Sequence, residues 1–185
     1  AQKGTLRARV KIARGEELAS FEGGEVDNMV PPQAECVVRV SAEEAKAALT
    51  ASGFLAPEYE VSSDDAGAKI AAHGVASHAA APEHGKSAIL MLADALEKAG
   101  LVGGASLRAV QAIRFFAQGY YGEHMGVACE DPDTGKTTMT VGVARTYGDE
   151  IELHADCRLS VAANPAQMAA RFEEAARNAG LDVIE

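Results

Sequence analysis

Between residues 151 and 161, apolar and polar side chains alternate strictly, and this alternation constrains the fold more than any other feature of the chain. The apolar positions are Ile151, Leu153, Ala155, Cys157, Leu159 and Val161. The polar positions are Glu152, His154, Asp156 and Arg158. Because successive side chains of a strand point to opposite faces, the segment predicts a strand whose apolar side chains face a core and whose polar side chains face away from it.

Further strands and helices are predicted along the chain by the same kind of pattern. Strand-like alternation occurs near residues 6–12, 36–40, 59–61, 68–75 and 139–143. Helical spacing of apolar residues follows Ser41, whose capping box with Glu44 predicts a helix that ends at Gly53. Other helices are expected over residues 87–99, 106–117 and 165–179, the last one opened by Asn164 and Pro165. This order of elements predicts the α+β class.

The order of the elements also suggests an internal duplication. Strands near residues 5–40 followed by a helix resemble strands near 137–161 followed by the helix at 165–179. Short turns such as Tyr147-Gly148-Asp149 favour antiparallel pairing. We therefore expect two antiparallel sheets with helices packed on one face, in a ferredoxin-like arrangement, with possible subdomains at residues 1–100 and 101–185.

The charge of the chain makes nucleic acid an improbable class of partner. Seventeen basic residues against 27 acidic residues give a formal net charge of -10, which repels a phosphate backbone. No apolar run reaches the length of a membrane span and no signal peptide is evident, so we expect no membrane partner and a cytoplasmic protein. The chain starts without methionine and ends in an apolar stretch at Val183, from which we expect it to be part of a longer protein.

Three positions are candidates for binding or catalysis, and each also has a plain structural explanation. His78 lies among very small side chains ahead of a helix, where it could donate to an oxyanion or could simply be a solvated loop histidine. Arg158 could hold a carboxylate by two parallel hydrogen bonds or could pair with Asp156. Asn28 could donate to a ligand carbonyl or could belong to a turn.

Metal binding by this chain is not predicted. The five histidines are His73, His78, His84, His124 and His154. Their spacing matches no zinc signature. Cys36, Cys129 and Cys157 likewise lack the close spacing of a zinc or redox pair, so we expect them to be reduced.

Taken in order, three segments resemble the lid of the dizinc peptidases known as metallopeptidase family twenty, and within it the peptidase V and carnosinase-like dipeptidases. The first is Gly-Gly-x-x-x-Asn-Met-Val-Pro, ending at Pro31. The second is Gly-x-x-x-His-x-x-x-Pro-Glu-x-Gly-x-x-Ala, from Gly74 to Ala88, and the third is Asp156-Cys157-Arg158. The resemblance covers nearly the whole chain, and its histidine segment is the most specific part.

The resemblance implies a role for each candidate residue. His78 matches the lid histidine that stabilises the tetrahedral intermediate, Arg158 matches the arginine that binds the terminal carboxylate of a dipeptide, and Asn28 matches a substrate-contacting asparagine. Two zinc ions, their ligands and a glutamate base would lie on a catalytic domain of the same polypeptide that is absent here. The 185 residues alone are therefore expected to be inactive.

Two departures from the family pattern leave the substrate open. Ser87 stands where the family usually has asparagine, and Leu159-Ser160 replaces an aromatic residue and a proline. A different class of protein would explain the same fold: a stand-alone α+β module for dimerisation or amino-acid binding, without catalytic activity. A reading frame that continues on both sides with His-x-Asp and Glu-Glu motifs would favour the lid.

Overall fold

A computed structural model describes all 185 residues, Ala1–Glu185, as twelve strands, four α-helices and two short 3-10 turns. The strands are β1 Gly4–Ala13, β2 Leu18–Gly23, β3 Met29–Val30, β4 Gln33–Val38, β5 Tyr59–Asp64, β6 Gly67–His73, β7 Ser77–His78, β8 Glu130–Asp131, β9 Gly135–Lys136, β10 Thr138–Tyr147, β11 Glu150–Leu159 and β12 Asp182–Val183. The helices are α1 Ala42–Ala51, α2 Ala88–Lys98, α3 Gly104–Ala117 and α4 Pro165–Asn178. The predicted α+β class is confirmed.

Eight of the strands form one continuous sheet in the order β12-β1-β11-β10-β2-β4-β6-β5, with antiparallel pairing throughout. The expectation of two separate antiparallel sheets is corrected here, because two four-stranded halves meet where β10 pairs with β2. That junction has a single Cα pair, Ala144 with Gly23. Side chains of β10 extend it: Thr146 Oγ1 accepts from the Phe21 N–H at 2.8 Å, and Arg145 Nη1 donates to the Gly23 carbonyl at 2.9 Å.

The two half-sheets do not divide at residue 100. β1 is the first strand of the chain, yet it pairs along its whole length with β11, from Gly4 with Leu159 to Ala13 with Glu150. The half-sheet that contains β10 and β11 therefore includes a strand from the opposite end of the chain. The remaining half, β2-β4-β6-β5, comes entirely from residues 18–73.

Side-chain caps start three of the helices where the sequence predicts them. Ser41 accepts a hydrogen bond from the Glu44 N–H at 3.1 Å, Ser87 from Leu90 at 3.2 Å, and Asn164 from Gln167 at 3.0 Å. Each cap satisfies one backbone donor that would otherwise lack a partner in the first turn. These local signals explain why the helix boundaries were predictable.

One face of the sheet carries the core. A single cluster of 40 buried residues joins the apolar side chains of the sheet to residues from all four helices. Ile151, Leu153, Ala155, Cys157 and Leu159 are buried as predicted, but Val161 is 45% exposed, which corrects its assignment to the core. The strand ends at Leu159, so the alternation no longer orients Val161.

The four helices are short. The longest have 14 residues, and none combines the length and the apolar character that crossing a bilayer requires.

Candidate functional site

A short two-stranded sheet brings together the segments that carry Asn28 and His78. β3 pairs with β7, with Met29 opposite His78 and Val30 opposite Ser77. Next to this pairing, the Ala79 N–H donates to the Asn28 carbonyl oxygen at 2.9 Å. We call this unit, residues 28–30 with 77–79, the β3–β7 ribbon. Two segments about 50 residues apart in sequence are therefore neighbours.

The β3–β7 ribbon is fixed to the polar face of β10 and β11. The Thr138 hydroxyl donates to the Ala79 carbonyl at 2.8 Å, which attaches the ribbon to the start of β10. His154 Nδ1 lies 2.9 Å from Asp27 Oδ1, which ties the chain just before the ribbon to β11. Gly142 allows a close approach, because a Cβ there would lie only 2.5 Å from the Asp27 carbonyl oxygen.

His78 is exposed at the end of β7, and a backbone contact determines which of its ring nitrogens can donate. The Ala80 N–H donates to His78 Nδ1 at 3.0 Å. Because Nδ1 accepts, a neutral His78 ring carries its proton on Nε2. The side chain therefore presents an N–H donor to solvent, next to residues 79–81, which are all alanine. Small neighbours leave room for a ligand to approach the ring.

Arg158 lies on β11 directly opposite Thr138 of β10. Its guanidinium forms a two-point ion pair with Asp156, Nε to Oδ1 at 2.6 Å and Nη2 to Oδ2 at 3.2 Å. The Arg158 side chain keeps 22% of its surface exposed, whereas the Asp156 side chain is fully buried. The pairing with Asp156, one of the two explanations for Arg158 offered by the sequence, is thus present in the structure.

The ion pair leaves part of Arg158 available. Asp156 occupies the Nε–Nη2 side of the guanidinium, and Nη1 has no hydrogen-bond partner in the chain. A second carboxylate can approach only the end of the group, between Nη1 and Nη2, and that geometry also supports two parallel hydrogen bonds.

A short series of contacts connects the segments that carry the three candidate residues, and we call these connected segments the candidate patch. Asn28 bonds to Ala79 through its carbonyl oxygen, Ala79 follows His78, and Thr138 links Ala79 to the strand pair that holds Arg158. The half-buried Asn28 side chain makes no hydrogen bond of its own in the structure. All three lie on the face of the sheet opposite the helices.

A groove of about 670 Å³ lies beside the ribbon, over the other half-sheet. Its lining includes Met29, Gly142 and Arg145, together with the three acidic residues Glu22, Glu25 and Glu35. Neither His78 nor Arg158 lines this groove. The groove therefore borders the ribbon at Met29 without including either of these two candidate residues.

The other titratable groups of the chain do not add a nucleophile or a metal site. The three cysteines are unpaired, and burial raises the pKa of Cys157 to about 12 and that of Cys36 even further. Neither thiol ionises at neutral pH. No group of three or more histidine, cysteine, aspartate or glutamate side chains is placed to hold a metal ion.

Comparison with known proteins finds distant likenesses among solved structures only. No protein-family model and no curated protein matches the chain. Among solved structures, the crystal structure of an aminoacylhistidine dipeptidase from Vibrio alginolyticus is similar, with a TM-score of 0.40 and 10% sequence identity, over 99% of this chain and 43% of that one. The chain thus spans less than half the length of that dipeptidase. A likeness this distant establishes neither a shared fold nor a shared activity.

Two contributors to the patch were not identified from the sequence. His154 is 13% exposed and lies between two carboxylates, Asp27 at 2.9 Å and Glu152 at 3.0 Å. Thr138 supplies the link to the ribbon. The alternation of β11 placed His154 on the polar face, but Asp27 is 127 residues away in sequence, and no local pattern indicates such a contact.

Proposed function

We propose that this chain is the substrate-binding lid of a zinc-dependent dipeptidase, and that a catalytic domain of the same polypeptide supplies the metal. The observation that carries the proposal is the β3–β7 ribbon, which joins the two motif segments of Asn28 and His78 and, through Thr138, reaches the strand pair of Arg158. Three motifs spread over about 130 residues are thereby connected. Such clustering supports a shared role in binding one small substrate.

His78 is proposed to donate its Nε2–H to the oxygen of the scissile carbonyl as negative charge develops there. The hydrogen bond from Ala80 holds Nδ1 as an acceptor, so the ring needs no rearrangement to act as a donor. A donor that is oriented in advance stabilises the transition state more than the ground state. The role requires only that the lid close over the reacting group.

Arg158 is proposed to bind the terminal carboxylate of the dipeptide. The buried carboxylate of Asp156 orients its guanidinium, and the end between Nη1 and Nη2 remains for the substrate. Asn28, the first residue of the ribbon, has an unpaired side-chain amide and is proposed to donate to a substrate carbonyl. These three contacts would together hold the peptide and orient the bond to be cleaved.

The chain's own residues do not fit a zinc site. No grouping of three or more suitable side chains exists in it, whereas catalytic zinc usually has three protein ligands. Both ions implied by the resemblance would therefore be held by the catalytic domain. The roles proposed for this chain are binding, orientation and donation of one hydrogen bond.

The first test is the effect of His78→Ala on hydrolysis by the full-length protein. Loss of one oxyanion donor typically lowers turnover by about a hundred- to a thousandfold, roughly 2.7–4 kcal/mol, so kcat should fall with little change in KM. His84→Ala is the matched control, because His84 lies in the same loop and is largely exposed. Near-normal turnover of the His78 variant would exclude the proposed role.

The second arm of the same experiment separates substrate binding from chemistry. Arg158→Ala should mainly raise KM, and it should impair dipeptides with a free terminal carboxylate far more than their amidated analogues, because only the free acids need a cationic partner. Equal losses on both substrate types would contradict carboxylate binding by Arg158. If the full-length protein hydrolyses no dipeptide at all, the stand-alone binding module is favoured instead.

A further inference from the structure

Two arginines share the single carboxylate of Asp156. Arg158 Nη2 lies 3.2 Å from Oδ2, and Arg7 Nε, on the neighbouring strand β1, lies 3.3 Å from the same oxygen. Arg7 is directly opposite Asp156 in the β1–β11 ladder. The two guanidinium groups are therefore adjacent, and one buried negative charge faces two positive charges.

The rest of β1 shows that this imbalance is local. Arg9 has two carboxylates within 3.9 Å, those of Glu152 and Glu185, and Lys11 has Glu150 at 3.4 Å. Arg9 and Lys11 thus each have at least one carboxylate partner of their own, separate from Asp156. Arg7 has only the shared oxygen of Asp156. Arg7, Arg158 and Asp156 together carry one positive charge that no other side chain of the protein pairs with. This excess occurs in a chain whose formal net charge is -10.

Both guanidinium groups have free donors. The Arg7 side chain is 63% exposed, and its terminal nitrogens Nη1 and Nη2 make no hydrogen bond within the chain. Arg158 has its Nη1 free, as described above. Diagonal neighbours on adjacent strands lie close enough for long side chains to meet a common ligand. Both groups lie within hydrogen-bond distance of the same Asp156 oxygen, so one small ligand with two carboxylates could contact both.

We propose that Arg7 and Arg158 together bind a ligand with two carboxylates, and that the preferred substrates end in aspartate or glutamate. Arg158 would take the terminal carboxylate and Arg7 the side-chain carboxylate. The assignment to a substrate rests on the proposed function, whereas the two-arginine site itself is a property of this chain. Arg7 is thereby a specificity-determining residue.

The test is direct binding by the 185-residue chain, followed by NMR, with N-acetyl-L-glutamate and N-acetyl-L-glutamine as probes. The two probes differ by one charge and have nearly the same shape. The unmodified chain should bind the glutamate probe about two- to fivefold more tightly, the range expected for one exposed charge pair. Arg7→Gln should abolish that preference, and added salt should weaken it.

Arg9→Gln is the matched control, because Arg9 lies on the same strand and face but has its own carboxylates. This variant should keep the preference for the glutamate probe. Equal binding of both probes by the unmodified chain, or a preference that survives Arg7→Gln, would overturn the proposal.

Hydrolysis by the full-length protein separates this proposal from the proposed function. Activity that depends on Arg158 but does not distinguish Ala-Glu from Ala-Gln would support the lid and overturn the specificity for acidic substrates. A preference for the glutamate probe that depends on Arg7, in a protein that hydrolyses no dipeptide, would support the two-arginine site and contradict the dipeptidase.

Discussion

Asp156 is the residue on which the candidate patch depends most. Its side chain is fully buried on the polar face of β11, and both of its oxygens accept hydrogen bonds from guanidinium groups. Burial of an unpaired carboxylate is costly, so the two arginines are required for the charge to remain there. In return, the carboxylate restricts Arg158 to one orientation.

We predict that Asp156→Ala lowers the free energy of unfolding by about 1–3 kcal/mol, because two guanidinium groups lose their shared acceptor. Urea denaturation of the chain is the measurement. Asp182→Ala serves as the control, since Asp182 is exposed on β12, its side chain makes no hydrogen bond or ion pair, and its loss should change stability by less than about 0.5 kcal/mol. Equal stability of the Asp156 variant and the parent chain would mean that the ion pairs are not important for folding.

Among the secondary-structure elements, strand β10 positions the segment that leads into the β3–β7 ribbon. Residues 26 and 27 pass over β10 at Gly142, where a Cβ would come within 2.6 Å of both of their carbonyl oxygens. Both groups are backbone, so a side chain at this position cannot be accommodated by a rotamer change. The absence of a side chain at Gly142 is what allows the ribbon to lie against the sheet.

Gly142→Ala should therefore displace the ribbon and lower the free energy of unfolding by about 1–3 kcal/mol, as overpacking typically does. The amide resonances of Asn28 and Ala79 in an NMR spectrum would report the displacement. Gly4→Ala is the control, because Gly4 is also a strand glycine and a Cβ there would make an ordinary contact at 3.8 Å with Leu159. Unchanged Asn28 and Ala79 resonances in the Gly142 variant would show that the crossing does not need glycine.

At the scale of the whole molecule, one core supports both half-sheets. The cluster of 40 buried residues includes side chains from β1, β2, β4, β6, β10 and β11 and from all four helices. The polar face above it carries the candidate patch and no cluster suited to a metal. The roles proposed for this chain are accordingly limited to binding and orienting a substrate.

We predict that the purified 185-residue chain neither retains zinc after dialysis nor cleaves dipeptides, because three convergent ligands are required for a tight catalytic site. Elemental analysis and a dipeptide hydrolysis assay are the measurements, with the full-length protein as the positive control. Stoichiometric zinc, or hydrolysis by the chain alone, would contradict the lid proposal.

Local sequence signals were sufficient to predict most of the strands and helices. The way in which these strands and helices pair and pack depends on contacts between distant parts of the chain. Alternation predicted β11, and the caps at Ser41 and Asn164 predicted the starts of α1 and α4, because these signals act between residues a few positions apart. The candidates His78, Arg158 and Asn28 came from motifs and small neighbours in the same local way.

Three features could not be predicted from the sequence: the continuous sheet, the position of β1 beside β11, and the burial of Asp156. Each depends on pairing between distant parts of the chain, such as Arg7 with Asp156 across 149 residues. Periodicity specifies which face of a strand is apolar but not which strand lies next to it, so a charge on the polar face cannot be assigned its partner from the sequence. No local sequence pattern predicts the single Cα pair between Ala144 and Gly23, although this pair joins the two half-sheets into one sheet.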